Sequence, residues 1–88
     1  MEINIDDLRK KIIYRSTYRG SKEMDKLLSS FTNKIINTLD KNELINLSNL
    51  LDHDDENLYK FNQGLKTTIS IEINKVTNLF KNFKFNKN

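Results

Sequence analysis

Three residues in the stretch from Arg15 to Asp25, R-S-T-Y-R-G-S-K-E-M-D, are of types that can act on a partner: Arg19, a large fork-shaped cation; Gly20, without a Cβ; and Glu23, a carboxylate. Glycine permits positive φ and lets another backbone come close, so Gly20 suits a helix-to-helix turn and a contact point equally well. Glu23 fits the third position of a capping arrangement and suits the positive end of a following helix. Arg19 has no such local duty in the sequence. Taken alone, so short a pattern matches by chance and reads as a cap beside an exposed ion pair worth about 0 to 1 kcal/mol. The rest of the chain must decide between the two.

A second candidate for chemistry is the acidic run Asp52-His53-Asp54-Asp55-Glu56. Its alternating carboxylates suggest calcium, but a calcium loop counted from Asp52 needs glycine sixth and glutamate twelfth, where Asn57 and Gln63 stand. Helix capping by Asp54 or Asp55 is the better account. His53, the single histidine, has no companions for a metal site and is expected in an exposed linker. With no cysteine there is no thiolate, disulfide or cysteine-bound zinc. The glycine-rich signatures that cradle dinucleotides or nucleoside triphosphates are also absent. No catalytic constellation is left, and the residues point to a binding protein rather than an enzyme.

The elements that must position these residues are short. A chain of 88 residues makes one small domain, 1–88, burying about 60 to 65% of the surface it exposes when unfolded. At 36% hydrophobic and 31% charged it can fill a thin core but not a deep catalytic cavity. The formal charge of +3 comes from dispersed lysines, part of it from Lys81 to Lys87, too diffuse to indicate nucleic acid. The acidic start, M-E-I-N-I-D-D, is unlike a secretory signal or a presequence, and no apolar run approaches a membrane span. A soluble protein is expected.

Helical spacing organises most of the chain. Asp6 or Asp7 is expected to cap a first helix with Ile5, Leu8 and Ile12 on its apolar side, ending near Gly20. Tyr14 and Tyr18 lie four apart, with at least one expected in the core. Met24, Leu27, Leu28, Phe31, Ile35 and Leu39 form the clearest stripe, on a central second helix whose polar side includes Lys26. Asp40-x-x-Glu43 opens a third helix that buries Leu44, Leu47, Leu50 and Leu51. Leu58, Tyr59 and Phe61 are expected to pack a short fourth helix closed by Gly64. From Thr67, Ile69, Ile73, Val76, Phe80 and Phe83 fit a fifth helix. The alternation of Ile69, Ile71 and Ile73 is strand-like, but no partner strand is in prospect. The tail from about residue 84 should fray. The expected fold is an all-α, single-domain five-helix bundle.

In this order and spacing, Arg19-Gly20-x-x-Glu23-x-Asp25, then L-L-x-x-F, D-K-N-E-L and L-L-D-x-D-D-x-x-L-Y-x-F resemble the succinate dehydrogenase assembly factors, also called FAD assembly factors. The resemblance runs from about Leu8 to Gly64. It departs at Glu56, where many relatives have proline, and at Phe61, where many have tryptophan. It implies a five-helix bundle that binds the flavoprotein subunit of succinate dehydrogenase, and in some bacteria of fumarate reductase, and promotes covalent FAD attachment. Carried over by position, Arg19, Gly20 and Glu23 would contact that partner, with Asp25, Arg15 and Tyr18 beside them. The chain would hold no FAD stably itself, the flavin being handled through the partner, and would act as a monomer without nucleic acid or membrane. Mitochondrial relatives carry a long N-terminal extension not seen here, which implies the bacterial cytoplasm. Two alternatives stay open: a small helical regulatory or antitoxin-like interaction protein unrelated to flavin, and a weak nucleic-acid binder.

Overall fold

Each helix begins where a short polar side chain covers the amides that a first helical turn leaves open. The computed structural model describes residues 4–84. In α1, Ile5–Thr17, that cap is Asn4, whose side-chain oxygen accepts from the backbone N–H of Asp6 at 2.9 Å and of Asp7 at 3.2 Å. Asp6 and Asp7, expected as caps, therefore stand inside the first turn, where their charge suits the helix dipole. Asn4 immediately precedes Ile5, and asparagine caps as well as aspartate does.

Ser21 caps α2, Lys22–Ile35, accepting from the Met24 N–H at 3.2 Å, so Glu23 is the second helical residue and not the third. A 3₁₀ turn over Ile36–Thr38 carries the chain to buried Leu39. The capping box expected at α3, Lys41–Leu51, is complete: Glu43 N–H donates to Asp40 at 2.8 Å and Asp40 N–H to Glu43 at 2.9 Å. Asp54 caps α4, Asp55–Asn62. Gly64 ends it with φ of 75°, the one positive φ among the described residues. Its N–H donates to Phe61 O at 3.2 Å and the Leu65 N–H to Lys60 O at 2.8 Å, the paired bonds of a glycine-terminated helix.

The fifth helix starts later than the periodicity from Thr67 predicts: α5 is Lys75–Asn82, opened by a reciprocal Asn74–Thr77 cap. Residues 65–74 have no regular structure, and side chains take up part of their backbone. Thr68 N–H donates to the side-chain oxygen of buried Asn57 at 2.8 Å, and the Asn57 amide donates to Thr68 Oγ1 at 3.0 Å. The isoleucine alternation accordingly has period two, with Ile71 buried and Ile69 and Ile73 exposed, though no strand forms among the described residues.

Helix α1 lies against α2 and α3, and α5 against α3 and α4. Phe31, 1% exposed at the middle of the α2 stripe, meets the rings of Phe80 at 5.1 Å and Phe83 at 5.5 Å. Lys75 bridges to Glu43 at 2.9 Å, tying α5 to α3. Buried Asn62 donates through its amide to Phe80 O and Phe83 O, both at 2.8 Å, so its side chain closes the C-terminus of α5. Lys84, where fraying was expected to begin, donates to Asn62 O at 3.3 Å; Phe85–Asn88 lie outside the described residues. The radius of gyration, 12.4 Å, compares with about 12 Å for a compact chain of this length. The fold is the all-α five-helix bundle that the sequence predicts.

Candidate functional site

The turn between α1 and α2 carries Arg19, Gly20 and Glu23, and the turn between α3 and α4 lies against it. Arg19 is the residue that the sequence read least well. Its side chain is only 13% exposed. Nε donates to Asp55 Oδ1 at 2.8 Å, Nη1 to Leu51 O at 3.0 Å and Nη2 to His53 O at 2.9 Å. One guanidinium thus takes up the carbonyl of the last residue of α3, a carbonyl of the following turn and a carboxylate on the first residue of α4. A planar fork can span these three acceptors; a lysine ammonium cannot do so in one plane. Arg19 therefore has a fold-level duty that local sequence could not display, its partners lying 32 to 36 residues away.

Gly20 is not a positive-φ position, contrary to one reason for expecting glycine there. The constraint at this position is closeness of approach. The Gly20 N–H donates to Asp55 Oδ2 at 2.9 Å, and a Cβ built at Gly20 would sit 3.0 Å from the same oxygen. Asp55 consequently accepts from two successive residues of the turn, while Asp54 alone caps α4 through the Asn57 N–H at 3.3 Å. The Asn57 side-chain amide beside Asp54 holds its carboxyl below the ordinary aspartate value. Asp25 accepts from the Arg19 backbone N–H, which fixes the same turn from the α2 side.

Arg15 points at α3, donating to Ser48 Oγ at 2.9 Å and to Asp52. Tyr14 and Tyr18 are 66% and 69% exposed with ring centroids 4.7 Å apart, so neither joins the core as expected. Tyr59, expected to pack α4, is 48% exposed as well. His53 is half-buried and serves through its carbonyl, not its imidazole.

Two open hollows lie between α2 and α4. One, about 290 Å³, is lined by Glu23, Met24, Leu27, Tyr59, Asn62, Gln63 and Lys84. The other, about 300 Å³ and more open, is lined by Glu23, Met24, Asp55, Glu56 and Tyr59. Glu23, Met24 and Tyr59 belong to both, so the exposed end of the motif opens onto one groove with an apolar floor and a polar rim. Residues 14–25 and 51–60 together hold four Lys or Arg against six Asp or Glu, although the whole chain is formally +3. Three of those cations are already paired: Arg15 with Asp52, Arg19 with Asp55 and Lys60 with Glu56.

Of the six residues predicted to contact a partner, the structure brings Gly20, Glu23 and Tyr18 to the exposed surface, half-buries Asp25, and commits Arg15 and Arg19 to bonds within the bundle. The sequence reading missed Asp55 as the acceptor of the turn, and Asn57 and Asn62 as buried amides. One signal for Asp55 was available, since two adjacent aspartates precede a helix that needs a single cap. Among the described residues no group of three or more His or acidic side chains could hold a metal ion, and no helix is long and apolar enough to cross a membrane.

No curated protein and no solved structure matches this chain significantly. A family of known description does, over residues 10–84, which takes in both turns, the groove and all five helices apart from the first residues of α1. The chain belongs to the Sdh5 family, the flavinators of succinate dehydrogenase.

Proposed function

We propose that this protein binds the flavoprotein subunit of succinate dehydrogenase and promotes covalent attachment of FAD to it. The observation that carries this reading is the position of Gly20 and Glu23, which stand at the surface beside the groove between α2 and α4, with the turn before them held by Asp25 and Asp55. A face of this kind needs no catalytic group of its own. It offers a rigid turn, an apolar floor of Met24 and Leu27 and the exposed rings of Tyr59 and Tyr18, features suited to holding a protein partner in one conformation. FAD is handled through the partner, which supplies the bond-forming chemistry, and this chain acts as a monomeric assembly factor and not as an enzyme. Fumarate reductase is a second client of the same chemistry. The compartment that goes with this reading is the bacterial cytoplasm.

The formal balance of charge speaks against a nucleic-acid role for the same face, because the lysine excess lies outside residues 14–25 and 51–60. The chain, immobilised and exposed to lysate of cells making the flavoprotein subunit, is expected to retain that subunit, with covalent flavin visible by fluorescence in a denaturing gel. Retention of nucleic acid, or of partners without flavin alone, contradicts the proposal.

A further inference from the structure

We propose that Asp55 is a positioning residue of the docking face, holding the Arg19–Gly20 turn against the first turn of α4; this rests on the docking reading above. Both of its carboxylate oxygens are used, Oδ1 by Arg19 Nε at 2.8 Å and Oδ2 by the Gly20 N–H at 2.9 Å. A single side chain thus fixes two consecutive residues of the turn, one through its side chain and one through its backbone. Asp54 performs the local capping of α4, which leaves Asp55 available for this longer-range contact. The same carboxylate crowds position 20, since a Cβ there would meet Asp55 Oδ2 at 3.0 Å and the Asp55 side chain would have to give way, while the backbone itself has no positive φ.

The consequence reaches the groove because its walls continue from these anchored residues. Glu23 follows Gly20 by three positions and Tyr59 follows Asp55 by four, and the two side chains face one hollow together with Met24, Asp55 and Glu56. The relative position of the two turns therefore sets the separation of Glu23 from Tyr59. Loss of the Asp55 carboxylate frees the turn and also leaves the Arg19 guanidinium without its anion, so the fold is weakened too and docking is read only on variants that are folded.

The test uses the full chain as Asp55→Ala, Asp55→Asn, Gly20→Ala and the Gly20→Ala/Asp55→Ala double variant, at a temperature where circular dichroism shows all of them folded. Hydrogen exchange of the residue 20 amide and the Kd for the purified flavoprotein subunit are measured on each. In Asp55→Ala, amide exchange is expected to accelerate and binding to weaken, each about tenfold or more, whereas Asp55→Asn, which keeps an oxygen for the Gly20 N–H, loses less. Gly20→Ala should weaken binding in the unaltered background and add little once Asp55 is alanine. The proposal is overturned if Asp55→Ala binds as the unaltered chain does despite an exposed amide, or if the two single effects simply add. Failure of the unaltered chain to bind the subunit would instead refute the docking reading, and unchanged exchange of the residue 20 amide in Asp55→Ala would refute the hold of Asp55 on the turn.

Discussion

Replacing Arg19 with alanine should destabilise the bundle, a result that a surface contact residue would not give. The side chain is 13% exposed and donates to one carboxylate and two carbonyls. A hydrogen bond involving a charged group contributes about 1.5 to 3 kcal/mol, and removing one member of a fully buried ion pair costs about 3 to 5 kcal/mol. Asp55 keeps 28% of its side-chain surface and can rehydrate, which lowers the penalty. The carbonyls of Leu51 and His53 lose their cationic donor at the same time. A net loss of about 2 to 3 kcal/mol follows, or a fall of about 10 to 20 °C in the melting midpoint of a domain this small. Arg19→Lys should fall between the two, retaining charge but not the fork. Thermal melts followed by circular dichroism at equal protein concentration give the answer. A midpoint for Arg19→Ala within about 2 °C of the unaltered chain would refute the reasoning.

The other expectations test different parts of the bundle. Phe31→Ala should cost about 3 to 5 kcal/mol in urea unfolding while Lys26→Ala leaves stability unchanged, because Phe31 is enclosed by Phe80 and Phe83 and Lys26 is exposed; equal midpoints would mean that α2 faces the other way. Asn62→Ala should cost about 1 to 3 kcal/mol by leaving the Phe80 and Phe83 carbonyls without their donor, and hydrogen exchange should rise first in α5. The Glu43 carboxyl is held below its ordinary value first by the Asp40 backbone N–H and then by Lys75. Its contribution to stability is therefore complete above the ordinary glutamate pKa and is lost as pH falls through the lowered folded-state value. Glu43→Gln should flatten the acid limb of the stability profile below about pH 4, and an unchanged limb would count against the assignment.

What could be read from the sequence follows how locally each feature is encoded. The α2 stripe, the Asp40–Glu43 box, the four leucines of α3 and the Gly64 stop are each written within one or two helical turns, and each is where the spacing puts it. Arg19 is the opposite case, since a side chain whose partners come from another pair of helices looks unemployed in its own neighbourhood. Asn57 and Asn62 are similar: an amide reads as surface until a loop carbonyl or an open helix end is brought to it. The late start of α5 has the same origin, because Thr68 satisfies itself on Asn57 and removes the need for helix there. Tyr14 and Tyr18 fit a helical stripe by spacing, yet α1 buries Ile12 and Ser16 instead and leaves the rings paired outside. The exposure of those rings and of Tyr59 around the motif is a property of the assembled bundle alone.

The proposed docking of the Gly20–Glu23 face on the flavoprotein subunit is tested most directly by co-expressing that subunit with the unaltered chain, with Gly20→Arg and with Glu23→Ala, and reading covalent flavin by fluorescence in a denaturing gel at matched protein levels. Glu23 is an exposed residue in the first turn of α2, where its charge contributes about 0.3 to 1 kcal/mol through the helix dipole, and Glu23→Ala removes no core side chain and should keep a cooperative melt. Gly20→Arg crowds Asp55 and should melt lower, which is why the two variants are read together. Strong flavin fluorescence is expected with the unaltered chain, and loss of most of it with both variants while each remains helical. Undiminished flavinylation by both would contradict the proposed docking and put the functional surface elsewhere on the bundle.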